Sequence, residues 1–134
     1  MSHFLKPLVI EPGAPCILRN ERTGLALATT IEAAFDSRSR RRGLLGREAL
    51  APGAGIIIAP CGGIHTLYMR FPIDVVFVNK DGTVRKVCRG VKPWRLALSV
   101  LAFAAVEVAS GEASRSGTLP GDRLALLMGQ SSLR

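Results

Sequence analysis

The chain is short of aromatic and of acidic residues. Phe, Tyr and Trp make up 5% of its 134 residues, so the core must be built mostly from aliphatic side chains. Asp and Glu number 10 against 18 Lys and Arg, which gives a formal net charge of +8. This excess favours anionic partners, but a solvated basic surface is the simpler explanation, and we favour it. Nucleic-acid binding is therefore an alternative that we do not favour.

Paired cysteines and long apolar runs are also absent. Cys16, Cys61 and Cys88 form no Cys-x-x-Cys pair, which excludes a zinc knuckle and a thioredoxin-like motif and predicts free thiols. The longest apolar run, 96–106 with one serine, is shorter than the roughly 20 residues of a membrane helix. The first residues show no signal-peptide pattern. We expect a cytoplasmic protein without a transmembrane segment.

Short apolar segments between turn residues predict a mainly β protein. The clearest hairpin joins 75–78 to 83–88, because Asp81-Gly82 is a strong turn signal. One short helix is predicted over 37–45, after Asp36 as its N-cap. We expect an α+β fold, mainly β, built as a compact antiparallel small barrel or a curled sheet with this one short N-terminal helix.

The other segments complete this predicted organisation. Residues 1–15, with three prolines, are predicted to be an irregular arm, and 16–134 a single β-rich domain. Further strands are predicted at 16–20, 25–33, 56–59, 64–70, 106–109 and 123–127. Residues 89–103 are ambiguous: within them, 94–103 fits either a short helix or an apolar strand, and the pattern leaves both open.

Side chains that react or bind cluster in one stretch, CGGIHTLYMRFPID at 61–74, between two apolar runs. His65 would make Cys61 a nucleophile if a bulge at the glycines brought the two together. The same pair with Asp74 would suit a transition metal. The simpler interpretation is a packed thiol and an imidazole bound to backbone. We favour it, since no third sulfur or second nearby His is present, and we expect no metal and no cofactor.

Two carboxylates stand next to apolar segments. Asp74 precedes the strand 75–78, so its carboxylate must be paired or must have a shifted pKa. Arg47, Arg70 or nearby amides are the expected partners. The functional alternative, which we do not favour, is a ligand anchor or a general base. Glu107 lies within an apolar run. Alternation leaves it either facing solvent or lining the mouth of a barrel.

Met69 is expected to fill the core. The barrel-mouth hypothesis for Glu107 would bring it together with His65 and Asp74. Adding Met69 and Arg70 gives the candidate ligand-binding set.

The chain resembles a family of small bacterial and archaeal proteins known as domain of unknown function 192. The resemblance covers about 27–127. It is carried by RRGLLGR at 41–47, Cys61 with IHT at 64–66, MRFPIDVVF at 69–77, Gly82 with Val84, PWR at 93–95, VEV at 106–108 with Gly111, and Gly121-Asp122. It implies a compact, β-rich α+β fold and no reaction. Within the family, Met69 and Asp74 are shared landmarks, whereas Cys61 and His65 mark one branch.

Three functions remain as hypotheses. The first is a ligand-binding or accessory module that takes a small molecule or a protein partner near Cys61–Asp74. The second is a thiol-dependent hydrolase or transferase in which Cys61 attacks and His65 is the base, so the sequence leaves open whether the protein is an enzyme. The third is weak binding of nucleic acid or another polyanion through the basic faces.

Overall fold

Ten strands and three short helices make up the part of the chain that the structure, a computed structural model, describes: residues 3–129. The helices are α1 (Lys6–Ile10), α2 (Ser37–Arg42) and α3 (Glu112–Arg115). The strands are β1 (Cys16–Asn20), β2 (Ala26–Ala28), β3 (Thr30–Ala34), β4 (Ala54–Ile58), β5 (Gly63–His65), β6 (Ile73–Val78), β7 (Val84–Val91), β8 (Leu96–Leu98), β9 (Ala104–Ala109) and β10 (Leu124–Met128).

A five-stranded sheet forms the middle of the molecule, in the order β3-β4-β9-β6-β7. All six residues of β6 are buried, because both faces of the sheet are covered. A three-stranded sheet, β10-β1-β2, and a two-stranded ribbon, β5-β8, complete the fold.

Strand alternation divides the core into two clusters, one on each face of the central sheet. On one face, Val76 and Val106 pack with residues of the three-stranded sheet, of α1 and of α3. On the other face, Val75 and Phe77 pack beneath Leu44, which follows α2, and beneath β5 and the segment after it. The second face is the one that carries the candidate site.

The predicted fold class is confirmed: the protein is α+β and mainly β, with curled sheets that do not close into a barrel. The hairpin at Asp81-Gly82 is confirmed as β6 paired with β7. The predicted helix begins after Asp36, whose side chain accepts a hydrogen bond from the Ser39 amide. It ends at Arg42 because Gly43 adopts a positive φ of 46°.

One strand pair differs from the antiparallel expectation. Strands β3 and β4 run parallel and are joined by α2 and the loop after it. A parallel pair needs a crossover connection, and this one lays α2 across one face of the sheet. The crossover therefore positions the candidate site.

Two local predictions were wrong. The N-terminal arm is not irregular throughout, because Lys6–Ile10 is helical, with Leu8 fully buried. The strand predicted over 64–70 is only β5, since Thr66 and Met69 close a turn after it. In the segment 89–103, which the sequence left open, the structure has the end of β7, the short strand β8 and turns, and no helix.

A buried carboxylate, Asp122, connects the start of β10 to the end of β1 through hydrogen bonds. Asp122 accepts hydrogen bonds from Arg22 Nε (2.6 Å), Asn20 Nδ2 (2.9 Å) and the Leu119 amide (2.9 Å). The bonds from Arg22, and secondarily those from Asn20 and Leu119, hold the pKa of Asp122 well below its usual range. The Gly121-Asp122 turn thus joins β10 to the turn after β1.

Candidate functional site: a basic groove beside α2

A groove of about 920 Å³ lies between α2 with its following loop and the connection from β4 to β5. We call it the α2 groove. It is lined by Ser37, 40–45, Ile58, 60–65 and Met69. The crossover supplies one wall, and the turn at Pro60–Gly63 supplies the other.

The rim of the α2 groove is cationic. The sequence of α2 is SRSRRR, and Arg40, Arg41 and Arg42 all line the groove. The Arg40 guanidinium donates to the Phe35 carbonyl at 3.1 Å, and Arg41 Nε donates to the Ser37 carbonyl at 3.3 Å. Across the groove lies His65, exposed at the end of β5. Guanidinium groups so arranged present several N–H donors to an anion.

The floor of the groove is apolar. Leu44, Ile58, Ile64 and Met69 line it, and each belongs to the buried cluster on that face of the sheet. Met69 therefore has the core role that the sequence predicts, with one side turned towards the groove. A cationic rim above an apolar floor suits a molecule that is anionic at one end and apolar at the other.

Cys61 lies in the wall of the groove, half-buried. Its Sγ donates to the Gly63 carbonyl at 3.1 Å. Burial, above all, raises the pKa of the Cys61 thiol, and the nearby Glu107 carboxylate adds to the rise against the opposing Gly63 and Arg40 contributions. A nucleophilic cysteine needs a lowered pKa. The environment of Cys61 instead raises its pKa.

We expect Cys61 to react more slowly with iodoacetamide than free cysteine at pH 7, because less of its thiol is ionised. Quenched samples analysed by peptide mass spectrometry give the rate at Cys61 separately from those at Cys16 and Cys88. A rate at Cys61 above that of free cysteine, lost in His65→Gln, would instead support the thiol-enzyme hypothesis.

Glu107 is buried behind the groove. Its β9 position lies opposite Ile56 and Val75, in the apolar face beneath α2. Among the residues that the structure describes, none forms a hydrogen bond with the Glu107 side-chain oxygen Oε1, and a Cβ added to Gly43 would lie 3.8 Å from that oxygen. Burial raises the pKa of Glu107 to about 7, while the positive charge of Arg47 opposes the rise.

The structure does not bring Asp74 into the groove. Asp74 lies on the opposite face of the sheet from Glu107, because adjacent strand positions alternate. Its two oxygens accept hydrogen bonds from the amides of Gly90 (2.8 Å), Gly111 (3.0 Å) and Ala113 (2.9 Å). These bonds tie β6 to β7 and to the first turn of α3.

The arginines expected beside Asp74 are elsewhere. Arg47 pairs with Glu32, and Arg70 lies 3.6 Å from Glu48 with both side chains largely exposed. Such an exposed pair contributes little to stability. Arg70 also does not line the groove. Of the sequence candidates, the groove gathers Cys61, His65 and Met69, with Glu107 behind it.

The sequence interpretation missed the arginines of α2 as site residues. It treated the basic residues of the chain as a solvated surface or as faces for weak polyanion binding, because a helix pattern does not reveal which part of the sheet the helix crosses. Among residues 3–129, no group of three His, Cys, Asp or Glu side chains is placed to hold a metal ion.

The fold and the groove define a small mainly β domain with a basic, apolar-floored groove at a parallel crossover. The chain belongs to the family described as uncharacterised ACR, domain of unknown function 192, which it matches over residues 18–126. A comparison with curated proteins finds no match.

Two solved structures share the fold. One is described as a candidate transcription regulator from Sinorhizobium meliloti 1021; it is 25% identical, with a TM-score of 0.72, over 83% of this chain and 91% of that one. The other is a protein of unknown function from Novosphingobium aromaticivorans DSM 12444, 24% identical, with a TM-score of 0.71 over 82% of each chain. Neither description names a ligand. Within residues 3–129, no helix is both long and apolar enough to cross a membrane.

Proposed function

We propose that the protein is a ligand-binding module whose α2 groove takes a small organic anion with an apolar tail. The observation that carries the proposal is the position of three arginines and His65 around a floor of buried aliphatic side chains. The anionic group would accept hydrogen bonds from the guanidiniums, and the tail would displace water from the floor.

The electrostatics of the groove support an anionic ligand. With a pKa raised to about 7, Glu107 is largely neutral in mildly acidic solution and does not cancel the charge of the arginines. Arg40 and Arg41 make hydrogen bonds to backbone carbonyls, which restrict their side chains. A restricted guanidinium loses less entropy when it binds a carboxylate or phosphate.

The alternatives receive less support. A thiol-dependent hydrolase or transferase would need an activated Cys61, and burial acts against that activation. Nucleic-acid binding would draw on the same positive charge, but the groove floor offers aliphatic side chains rather than aromatic rings for stacking. The free cysteines among the described residues are consistent with our proposal of a cytoplasmic location.

A series of straight-chain carboxylates from acetate to octanoate tests the proposal. At constant ionic strength and pH 7, calorimetric titration should show affinity rising about fourfold for each methylene that the floor buries, since a buried methylene contributes about 0.8 kcal/mol. Equal binding of acetate and octanoate, or no binding of either, would contradict the proposal.

Two arginines on the same helix provide a matched control. Arg41 lines the groove, whereas Arg38 is exposed on α2 outside it. Arg41→Gln should raise the Kd for octanoate about tenfold, the usual cost of losing a hydrogen bond to a charged group. Arg38→Gln, which removes the same net charge, should leave the Kd nearly unchanged. Equal weakening by both variants would show a non-specific charge effect.

A further inference from the structure

A row of large apolar side chains lies exposed along the β5-β8 ribbon and the turns next to it. It consists of Tyr68, Trp94, Leu96, Leu98, Val100 and Leu101, whose exposed fractions lie between 52% and 78%. We call this row the apolar ridge. A contiguous set of this kind is unusual on a soluble surface and marks a place where the protein contacts something apolar.

The aliphatic part of the ridge follows from the alternation of β8. Leu96 and Leu98 point outwards, while Ala97 between them is buried in the core. Val100 and Leu101 extend the row into the turn after β8, which the Ser99 amide fastens to the Gly62 carbonyl at 2.9 Å. The outer face of the ribbon therefore has no protein layer over it in the described residues.

The aromatic part of the ridge is held in an unfavourable backbone conformation. Tyr68 and Trp94 each have a φ of 65°, a region that bulky residues rarely adopt, and their ring centroids lie 4.6 Å apart. Fully buried Thr66 maintains this geometry, because its hydroxyl donates to the Lys92 carbonyl and accepts from the Arg95 amide. The loop that carries Tyr68 and the loop that carries Trp94 are joined through Thr66, and together they hold the two rings in solvent.

The chain around the ridge carries charge of one sign. From 82 to 106 there is no Asp or Glu, while Lys86, Lys92 and Arg95 lie in that segment close to the ridge. Arg89, in the same segment, turns away from the ridge and donates to the Thr118 carbonyl beside α3. Lys86 is attached directly to the ridge strand, since its Nζ donates to the Leu98 carbonyl at 2.9 Å. Opposite Leu96 in the ribbon lies His65.

We propose that the apolar ridge inserts into the surface of a membrane rich in anionic phospholipid. Leu and Val side chains enter the acyl boundary, Trp and Tyr occupy the headgroup level, and nearby Lys and Arg meet the lipid phosphates. Nucleic acid fits this surface less well, because exposed Leu and Val offer neither stacking nor hydrogen bonds to bases. The inference is independent of the function proposed for the groove.

The single Trp of the chain makes the test direct. Trp94 is the only tryptophan and lies within the ridge, so its emission reports the ridge alone. Vesicles of phosphatidylcholine with about a third phosphatidylglycerol should shift this emission to the blue and co-sediment the protein, less so at high salt. Vesicles of phosphatidylcholine alone should bind much more weakly. Equal binding to both, or to neither, overturns the proposal.

Matched substitutions locate the contact. Leu101→Asp should lower the partition coefficient about tenfold or more, while Ile10→Asp, a similar change at an exposed residue of α1, should leave it nearly unchanged. Arg95→Glu should weaken binding more than Arg19→Glu on the separate three-stranded sheet. Unchanged thermal unfolding shows that the variants are folded.

Two results with these variants would contradict membrane insertion. One is equal loss of vesicle binding in Ile10→Asp and Leu101→Asp. The other is a combination of two observations: the wild-type protein does not bind vesicles, and it forms a dimer in sedimentation velocity that Leu101→Asp dissociates. That result would assign the ridge to a second copy of the chain.

Discussion

Asp74→Asn is expected to lower the free energy of unfolding by about 3 kcal/mol or more, because it leaves buried amides without a charged acceptor. The side chain is 1% exposed and accepts three backbone hydrogen bonds. An Asn can satisfy at most part of this set, since its NH2 group would face N–H donors. Urea unfolding followed by circular dichroism measures the loss.

Asp81→Asn is the matched control for this prediction. Asp81 is exposed in the β6-β7 turn and accepts one hydrogen bond from the Thr83 amide at 2.9 Å. Asp81→Asn should lower the free energy of unfolding by less than about 1 kcal/mol, as is usual for a substitution at a surface site. If both substitutions cost the same, Asp74 does not hold β7 and α3 to β6 as the structure indicates.

Glu107→Gln is expected to remove a pH dependence of stability. Burial raises the pKa of Glu107 from 4.5 to about 7 in the folded protein, so the folded state binds this proton more tightly than the unfolded state. The stabilisation is fully present below pH 4.5, falls as the pH rises towards 7, and is absent above that range.

The comparison between wild type and Glu107→Gln isolates this effect. From pH 5 to pH 8, wild type should lose about 2–3 kcal/mol relative to the variant, because a buried carboxylate must ionise only in wild type. Urea midpoints at several pH values give the difference directly. Glu48→Gln, which removes a largely exposed carboxylate, is the control for the change in net charge. A stability difference between wild type and Glu107→Gln that stays constant from pH 5 to pH 8 would mean that Glu107 is solvated.

Local signals predicted the local structure well. Asp81-Gly82 between two β-branched runs specifies a hairpin within a dozen residues, and Asp36 marks a helix start through a hydrogen bond three residues away. The parallel pairing of β3 with β4 depends on contacts across more than 20 residues. Neither strand alone carries a signal for the direction of its partner.

The site was predicted only in part for the same reason. The stretch 61–74 was recognised from its residue types, but the α2 arginines reach it through the crossover. Alternation assigned Glu107 to a face of its strand without showing that Leu44 and α2 cover that face. Asp74 was expected to be paired, and its partners are amides 16 to 39 residues away, which no local pattern indicates.

Amide chemical-shift mapping with octanoate tests the central claim of a ligand site in the α2 groove most directly. Titration of the 15N-labelled protein should shift amides of 37–45 and 61–69, where α2 and the β4-β5 connection face each other. The shifts should saturate, and Arg41→Gln should weaken them while Arg38→Gln should not. Shifts confined to other surfaces, or no saturable shift at these residues, would contradict a ligand site in this groove.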